Sequence, residues 1–302
     1  MKIGYPCINL TIGCKGNRTF RLKSYSEEKL ALTIDNNLSC LLKILQFNVK
    51  RNILFFRITS DLIPFASHPV CQFDWQSNFK DHFSEIGAYI EANKIRISMH
   101  PGQYTVLNTP MQSILDNSIA DLLYHVDILD AMELDTSAKI QIHVGGVYGN
   151  KEMSIIRFCE RYYNLPEGIR RRLVIENDDR SYTCSDCLEI HKEVGIPVLF
   201  DSLHHELKNA GESIQDAIEM SSRTWTTQDG IPMIDYSHRR KNGTPYGHID
   251  TLNAEHFKLF LEQTKQYDFD IMLEIKDKER SALEAIQIAW NDDRLVKVKN
   301  DL

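Results

Sequence analysis

The residues of this chain most able to do chemistry are histidines and carboxylates standing at the ends of short apolar runs. Ile95–His100 closes Ile-Arg-Ile-Ser-Met-His on His100, and Lys139–His143 closes on His143. Leu173–Glu176 ends on Glu176, Pro197–Asp201 ends on Asp201 with His204 and His205 beyond, and Ile271–Glu274 ends on Glu274. Met233–Asp235 adds Asp235, Ile53–Thr59 is followed by Asp61 and His68, and Lys2–Asn9 offers only the weak ligand Asn9. A single histidine at a strand end is ordinarily a hydrogen-bonded structural residue; repetition at equivalent positions changes that reading. Collecting unpaired ions at one place costs several kcal/mol each, whereas divalent cations make the same collection stable. Imidazole and carboxylate without thiolate suit Mn²⁺, Zn²⁺, Fe²⁺ or Co²⁺. Two such ions can clamp an in-line phosphoryl displacement, and a third would neutralise charge on the intermediate. One or two ions could instead isomerise a sugar by holding adjacent oxygens, and a fold does not choose between these chemistries.

Convergence requires the runs to be parallel strands of one barrel, whose C-terminal ends share a mouth. Helical periodicity fills the intervals between them. Glu27–Lys50 places Leu30, Ile34, Leu38, Leu41, Leu42 and Leu45 on one stripe, behind Ser26 as N-cap and Glu27-Glu28 in the first turn. Asn78–Ala92, Gln112–Leu134, Met153–Tyr163, Cys184–Val194, Ser213–Thr224, Asn253–Tyr267 and Glu279–Trp290 complete the set, with Gly195 as the expected terminator of Cys184–Val194. Strands such as Leu173-Val174-Ile175 are apolar on both faces, as in buried parallel sheets. Eight alternations without a linker predict an α/β fold: a single (β/α)₈ TIM barrel over residues 1–302. The alternative, an open doubly wound sheet, lacks its GxGxxG fingerprint after the first strand.

Composition agrees with an ordinary soluble globular protein: 42% hydrophobic and 25% charged residues. No apolar stretch approaches the roughly 20 residues of a membrane span, and the N-terminus lacks a signal-peptide core, so cytoplasmic residence is expected. The net charge of −7 argues against a general nucleic-acid coat protein, but bound divalent cations would offset most of it where a phosphate sits. Arg170-Arg171-Arg172 reads as a solvated face; Arg239-Arg240-Lys241, before Asn242-Gly243 and beyond a strand end, is a candidate ligand contact. Seven irregularly spaced cysteines predict reduced thiols, and the lone Cys184-Ser185-Asp186-Cys187 predicts structural residues, not a zinc site.

Several strings are more particular than the barrel requires. Gly4-Tyr5-Pro6-Cys7-Ile8-Asn9, Arg57-Ile58-Thr59-Ser60-Asp61-Leu62-Ile63-Pro64, His100-Pro101-Gly102-Gln103-Tyr104, His143-Val144-Gly145-Gly146, Glu176-Asn177-Asp178-Asp179, Phe200-Asp201-Ser202-Leu203-His204-His205, Asp235-Tyr236-Ser237 and Gly247-His248 occur in order over residues 1–285. Together they resemble the UV damage endonucleases, metal-dependent DNA repair enzymes on a TIM barrel. The resemblance implies three divalent ions, Mn²⁺ first with Zn²⁺, Mg²⁺ or Co²⁺ as alternatives. It places the ligands on His68, His100, His143, Glu176, Asp201, His204, Asp235, His248 and Glu274, with His100, His143, Glu176 and Glu274 central to catalysis. It implies nicking of damaged double-stranded DNA immediately 5′ of cyclobutane dimers and 6-4 products, with abasic sites as a further candidate substrate, by metal-activated water, leaving 3′-hydroxyl and 5′-phosphate ends. Gln103 and Tyr104 match residues inserted where the damaged dinucleotide is extruded, and Tyr5 and Asn9 match residues lining the lesion pocket. Arg239 and Arg240 are further DNA candidates, and a monomer is expected.

The seventh strand departs from the pattern. Met233 stands where relatives carry a modified lysine, and Asp235 stands where they carry a histidine. A thioether cannot carry a carboxylate, and aspartate adds a negative charge, so metal preference and lesion selectivity are expected to shift. The rival readings are a sugar isomerase or epimerase of the same barrel class and a damage-binding relative without turnover.

Overall fold

The computed structural model describes residues 1–240 and 247–298. Eight parallel strands pair in chain order, and the last closes on the first: β1 (Ile3–Pro6), β2 (Phe55–Ile58), β3 (Arg96–Met99), β4 (Lys139–His143), β5 (Leu173–Glu176), β6 (Val198–Asp201), β7 (Met233–Tyr236) and β8 (Asp270–Leu273). The main helices between them are α1 (Glu27–Lys50), α2 (Lys80–Ala92), α3 (Gln112–Ala131), α4 (Lys151–Tyr163), α5 (Cys184–Val194), α6 (Ile214–Ser222), α7 (Ala254–Gln263) and α8 (Glu279–Ile288). This is the expected (β/α)₈ barrel. Ser26 caps α1 by accepting from Lys29 N at 3.2 Å, and Gly195 ends α5 with φ 73°. Three short helices, Trp75–Asn78, Glu167–Arg172 and Ser202–Leu207, lie in segments too brief for periodicity to reveal.

The strand faces explain the site. Outward residues such as Ile140, Ile142, Ile175 and Phe200 join the large core under the helices. Inward residues form a second, smaller cluster: Phe55, Val174, Leu199, Met233 and Met272. Two residues further along, the strand alternation returns the chain to the interior at Arg57, Glu176, Asp201, Asp235 and Glu274. The barrel is thus plugged by apolar side chains directly beneath a layer of charge. Met233, 1% exposed, belongs to the plug.

Two expectations are corrected. Cys14 and Cys40 form a disulfide with Cα atoms 5.9 Å apart, while Cys7, Cys71, Cys159, Cys184 and Cys187 are free. The segment after β1 folds back on α1 because buried Asn37 accepts from Arg18 N at 2.9 Å and donates to Arg18 O at 3.0 Å. That fold-back, invisible in cysteine spacing, brings Cys14 onto the helix. The Arg170-Arg171-Arg172 cluster is also not uniformly solvated: Arg172 is buried, donating to Asp130 at 2.6 Å and to the carbonyls of Leu134, Asp135 and Ala138.

Candidate metal centre

His143 and Glu176 are register partners across β4 and β5, so their side chains leave the sheet side by side. His143 Nε2 lies 2.9 Å from Glu176 Oε1, and His100 Nε2, one residue past β3, approaches the same oxygen at 3.3 Å. Asp201 and Asp235 are likewise register partners across β6 and β7. Ligand atoms of His100, His143 and Glu176, and of Glu176, Asp201 and Asp235, lie within 4.8 Å of one another, so Glu176 is shared by two groups. His204 stacks near His143 with ring centres 5.6 Å apart; its Nδ1 lies 3.6 Å from Asp201 and 2.9 Å from the Asn177 carbonyl. His248 Nε2 reaches Glu274 at 3.3 Å.

Arg57 holds this layer from below. Its NH2 donates to both oxygens of Asp235, at 2.7 and 2.8 Å, and to Gln141 Oε1 at 2.7 Å, while NH1 pairs with Glu274. Gln141 in turn donates to Glu176 and, at 2.7 Å, to Asp235 Oδ2. Arg57 and Gln141 are missed by a search for ligand types, although each is a polar residue inside an apolar strand run.

The protein groups alone are poorly balanced. Burial, opposed by His204 but reinforced by Glu274 and Glu176, pushes Asp201 up to about 6. Burial and neighbouring carboxylates hold Asp235 well above the ordinary carboxylate range despite Arg57. Burial would lower His143 and His204, but Glu176 and Asp201 respectively raise each to about 9. Glu274 goes the other way: Arg57 and His248 outweigh burial and bring it to about 2. Asp201 Oδ2 and the Nδ1 atoms of His143 and His248 are buried without hydrogen-bond partners. Unsatisfied buried polar atoms among clustered carboxylates fit a divalent cation, which would take carboxylate oxygens and neutral imidazole as ligands.

Comparison with known proteins then gives a single answer. The sequence model described as UV-endonuclease UvdE matches residues 1–299. The chain belongs to the UvdE family. A UV DNA damage endonuclease of Clostridium perfringens (strain 13 / Type A) is 40% identical over 291 residues, covering 95% of this chain and 70% of the relative. The crystal structure of SacUVDE superposes with a TM-score of 0.93 at 46% identity, covering 98% of this chain and 100% of that one. D-Psicose 3-epimerase from Clostridium cellulolyticum H10 matches with a TM-score of 0.55 at 13% identity over 85% of this chain and 94% of its own, which shows the shared barrel alone.

Not every residue singled out by its UvdE-like position reaches the mouth. His68 is exposed in the loop after β2, its Nδ1 accepting from Val70 N at 3.0 Å, and it is in neither ligand group. Tyr5 and Asn9 are buried: Tyr5 donates to Asn48 at 2.8 Å and accepts from Asn9 at 2.9 Å, while Asn9 Oδ1 caps the turn through Thr11 and Ile12. β1 ends at Pro6, and the following Cys7 turns to φ 73°, so these residues brace the loop. Gln103 and Tyr104 are exposed, Tyr104 by 82%, on a turn anchored where Thr105 donates to Asp121 at 2.7 Å. Arg239 is exposed, but Arg240 is committed to Asp250 and to the carbonyl of His248 at 2.9 Å, so it braces the ligand loop. Lys241, with Asn242 and Gly243, lies outside the described residues. Lys276 and Lys278, which carry no signal in composition or period, line the same mouth, a cavity of about 400 Å³.

Proposed function

We propose that this UvdE-family chain is a metal-dependent endonuclease that nicks double-stranded DNA immediately 5′ of UV photoproducts, leaving 3′-hydroxyl and 5′-phosphate ends. The observation that carries the reading is the sharing of Glu176 between the His100–His143 group and the Asp201–Asp235 group. One carboxylate between two ligand sets suits adjacent divalent ions, Mn²⁺ first by donor type. Such ions, when bound, activate water and offset charge developing on the phosphate oxygens. The chain's own residues do the rest. His100, His143 and His204 supply imidazole nitrogens, Asp201 and Glu274 supply carboxylate oxygens, and His248 and Asp235 complete the set. Arg57 and Gln141 hold Asp235, Glu274 and Glu176 in place, so the ligand geometry is fixed before substrate arrives. Asp235 keeps only part of its lone-pair capacity for an ion, because both oxygens already accept from Arg57.

A second cavity of about 760 Å³, lined by Asp61, Phe65, Tyr104 and Tyr148 among others, shares Gln103 with the mouth. It gives an extruded dinucleotide room, and Tyr104 and Gln103 would fill the gap left in the duplex, replacing lost stacking. Recognition then rests on how readily a damaged site bends and unstacks.

The test is a duplex with one defined cyclobutane dimer, incubated with the protein and Mn²⁺, Zn²⁺, Mg²⁺ or Co²⁺, with the cut mapped to the nucleotide. A nick directly 5′ of the lesion, abolished by Glu176→Gln and by His100→Ala, is the expected outcome. Near-wild-type nicking by either variant would refute the site.

A further inference from the structure

Lys278 adopts φ 56° and ψ −116°, a region that side-chain-bearing residues rarely occupy. It stands at the N-cap of α8 and offers no capping hydrogen bond there, so helix initiation does not explain the choice of lysine. Its flanks impose the conformation. Ile275 before it and Glu279 after it are buried, and Glu279 is pinned by the backbone N–H of Leu10 at 2.9 Å. Glycine would adopt these angles without strain. Something other than backbone geometry therefore favours a long cationic side chain here.

The surroundings indicate what. Lys278 is half-buried and lines the metal mouth with Glu274, His248, His100 and Gln103. Arg57, Lys276 and Lys278 are the arginine and lysine side chains of that lining. Arg57 is neutralised by Asp235 and Glu274, and Lys276 pairs with Asp250 at 3.2 Å. Lys278 pairs with no carboxylate among the described residues. An ammonium left without a protein partner, aimed at a mouth built for phosphate, has a ready ligand in a non-bridging phosphate oxygen.

We propose that Lys278 binds a DNA backbone phosphate next to the scissile one, and that its backbone strain is retained to place that charge. The inference rests on the endonuclease reading. It makes Lys278 a phosphate-contacting residue at the β8 end of the mouth that Gln103 also lines.

Three variants separate charge from strain: Lys278→Arg keeps both, Lys278→Gln keeps the strain and loses the charge, and Lys278→Gly loses both. Binding of a fluorescent dimer-containing duplex is measured from 50 to 500 mM salt, with thermal unfolding of each protein alongside. One phosphate contact contributes about 0.9 to the slope of log affinity against log salt, so the affinity deficit of the Gln and Gly variants shrinks about eightfold over that tenfold range. Lys278→Arg follows wild type. Melting temperature rises for Lys278→Gly and is unchanged for Lys278→Gln. Wild-type salt slopes in the Gln and Gly variants, or a lowered melting temperature for Lys278→Gly, overturn the proposal while leaving the nuclease reading intact, provided wild type still cuts 5′ of the dimer. If wild type neither binds nor cuts the damaged duplex, both fall together.

Discussion

Arg57→Met gives the most direct reading of what holds the ligand layer. Arg57 is 3% exposed and donates to Asp235, Gln141 and Glu274, so methionine removes the guanidinium but keeps much of the volume. Removing one partner of a buried ion pair costs about 3–5 kcal/mol, because the remaining charge stays buried. Here two carboxylates lose their cation, which places the cost toward the upper end in chelated protein. For a chain of this size, about 2–4 °C of melting temperature accompanies each kcal/mol, so a drop of roughly 8–20 °C is expected. The penalty depends on pH in a definite direction. Asp235 already sits above the ordinary carboxylate range, and losing Arg57 moves it further up. Below that raised value the folded state holds the proton and the penalty is small; as pH rises through it, the unpaired charge develops and the penalty grows. Urea unfolding of chelated wild type and Arg57→Met at pH 5 and pH 8 measures this. A difference below 1 kcal/mol, or an equal difference at both pH values, would refute the account of Arg57 as the brace. Saturating Mn²⁺ should recover part of the loss, since a divalent ion held by the ligand layer would supply the missing charge.

Two further outcomes are expected. Chelated wild type loses stability as pH rises from 6.5 to 9, because His204 is raised to about 9 by Asp201 and its stabilising charge, at most about 3 kcal/mol, is fully present below 6.5 and gone above the folded value; thermal unfolding with and without Mn²⁺ checks this, and the decline disappears in the loaded protein because bound imidazole is neutral throughout. Tyr104→Ala lowers nicking of dimer-containing duplex about 5- to 150-fold, the equivalent of about 1–3 kcal/mol of base stacking, with no change in Mn²⁺ affinity by calorimetry; a parallel loss of metal binding would place Tyr104 in the metal site instead.

The barrel was legible because strand ends and helix stripes repeat at the two backbone periods, and ligands at equivalent ends follow from that repetition. His100, His143, Glu176, Asp201 and Asp235 accordingly meet where the run endings place them. What escaped has a different physical origin. Tyr5 and Asn9 are buried beside a left-handed turn at Cys7, and no side-chain type announces that turn. The Cys14–Cys40 bond depends on a fold-back clamped by Asn37, a tertiary event. Arg57 and Gln141 were visible as polar residues within apolar runs, but their partners lie on strands remote in sequence. The place of Met233 becomes intelligible only with the plug described: it packs with Phe55, Val174, Leu199 and Met272 beneath the charged layer.

The Arg57–Glu274 contact joins residues 217 positions apart. It ties β2 to β8 across β1, the seam at which the chain meets itself. The ligands come from separate strand–helix units on both sides of that seam, so no fragment short of β8 contains a finished site. A chain ending before β8 would have His100, His143 and the bracing Arg57 but not Glu274, the carboxylate that completes the mouth. The ligand layer is therefore complete only when the ring closes. Metal occupancy at a hundredfold excess over its dissociation constant would then add about 2.7 kcal/mol to the closed ring and nothing to an open one.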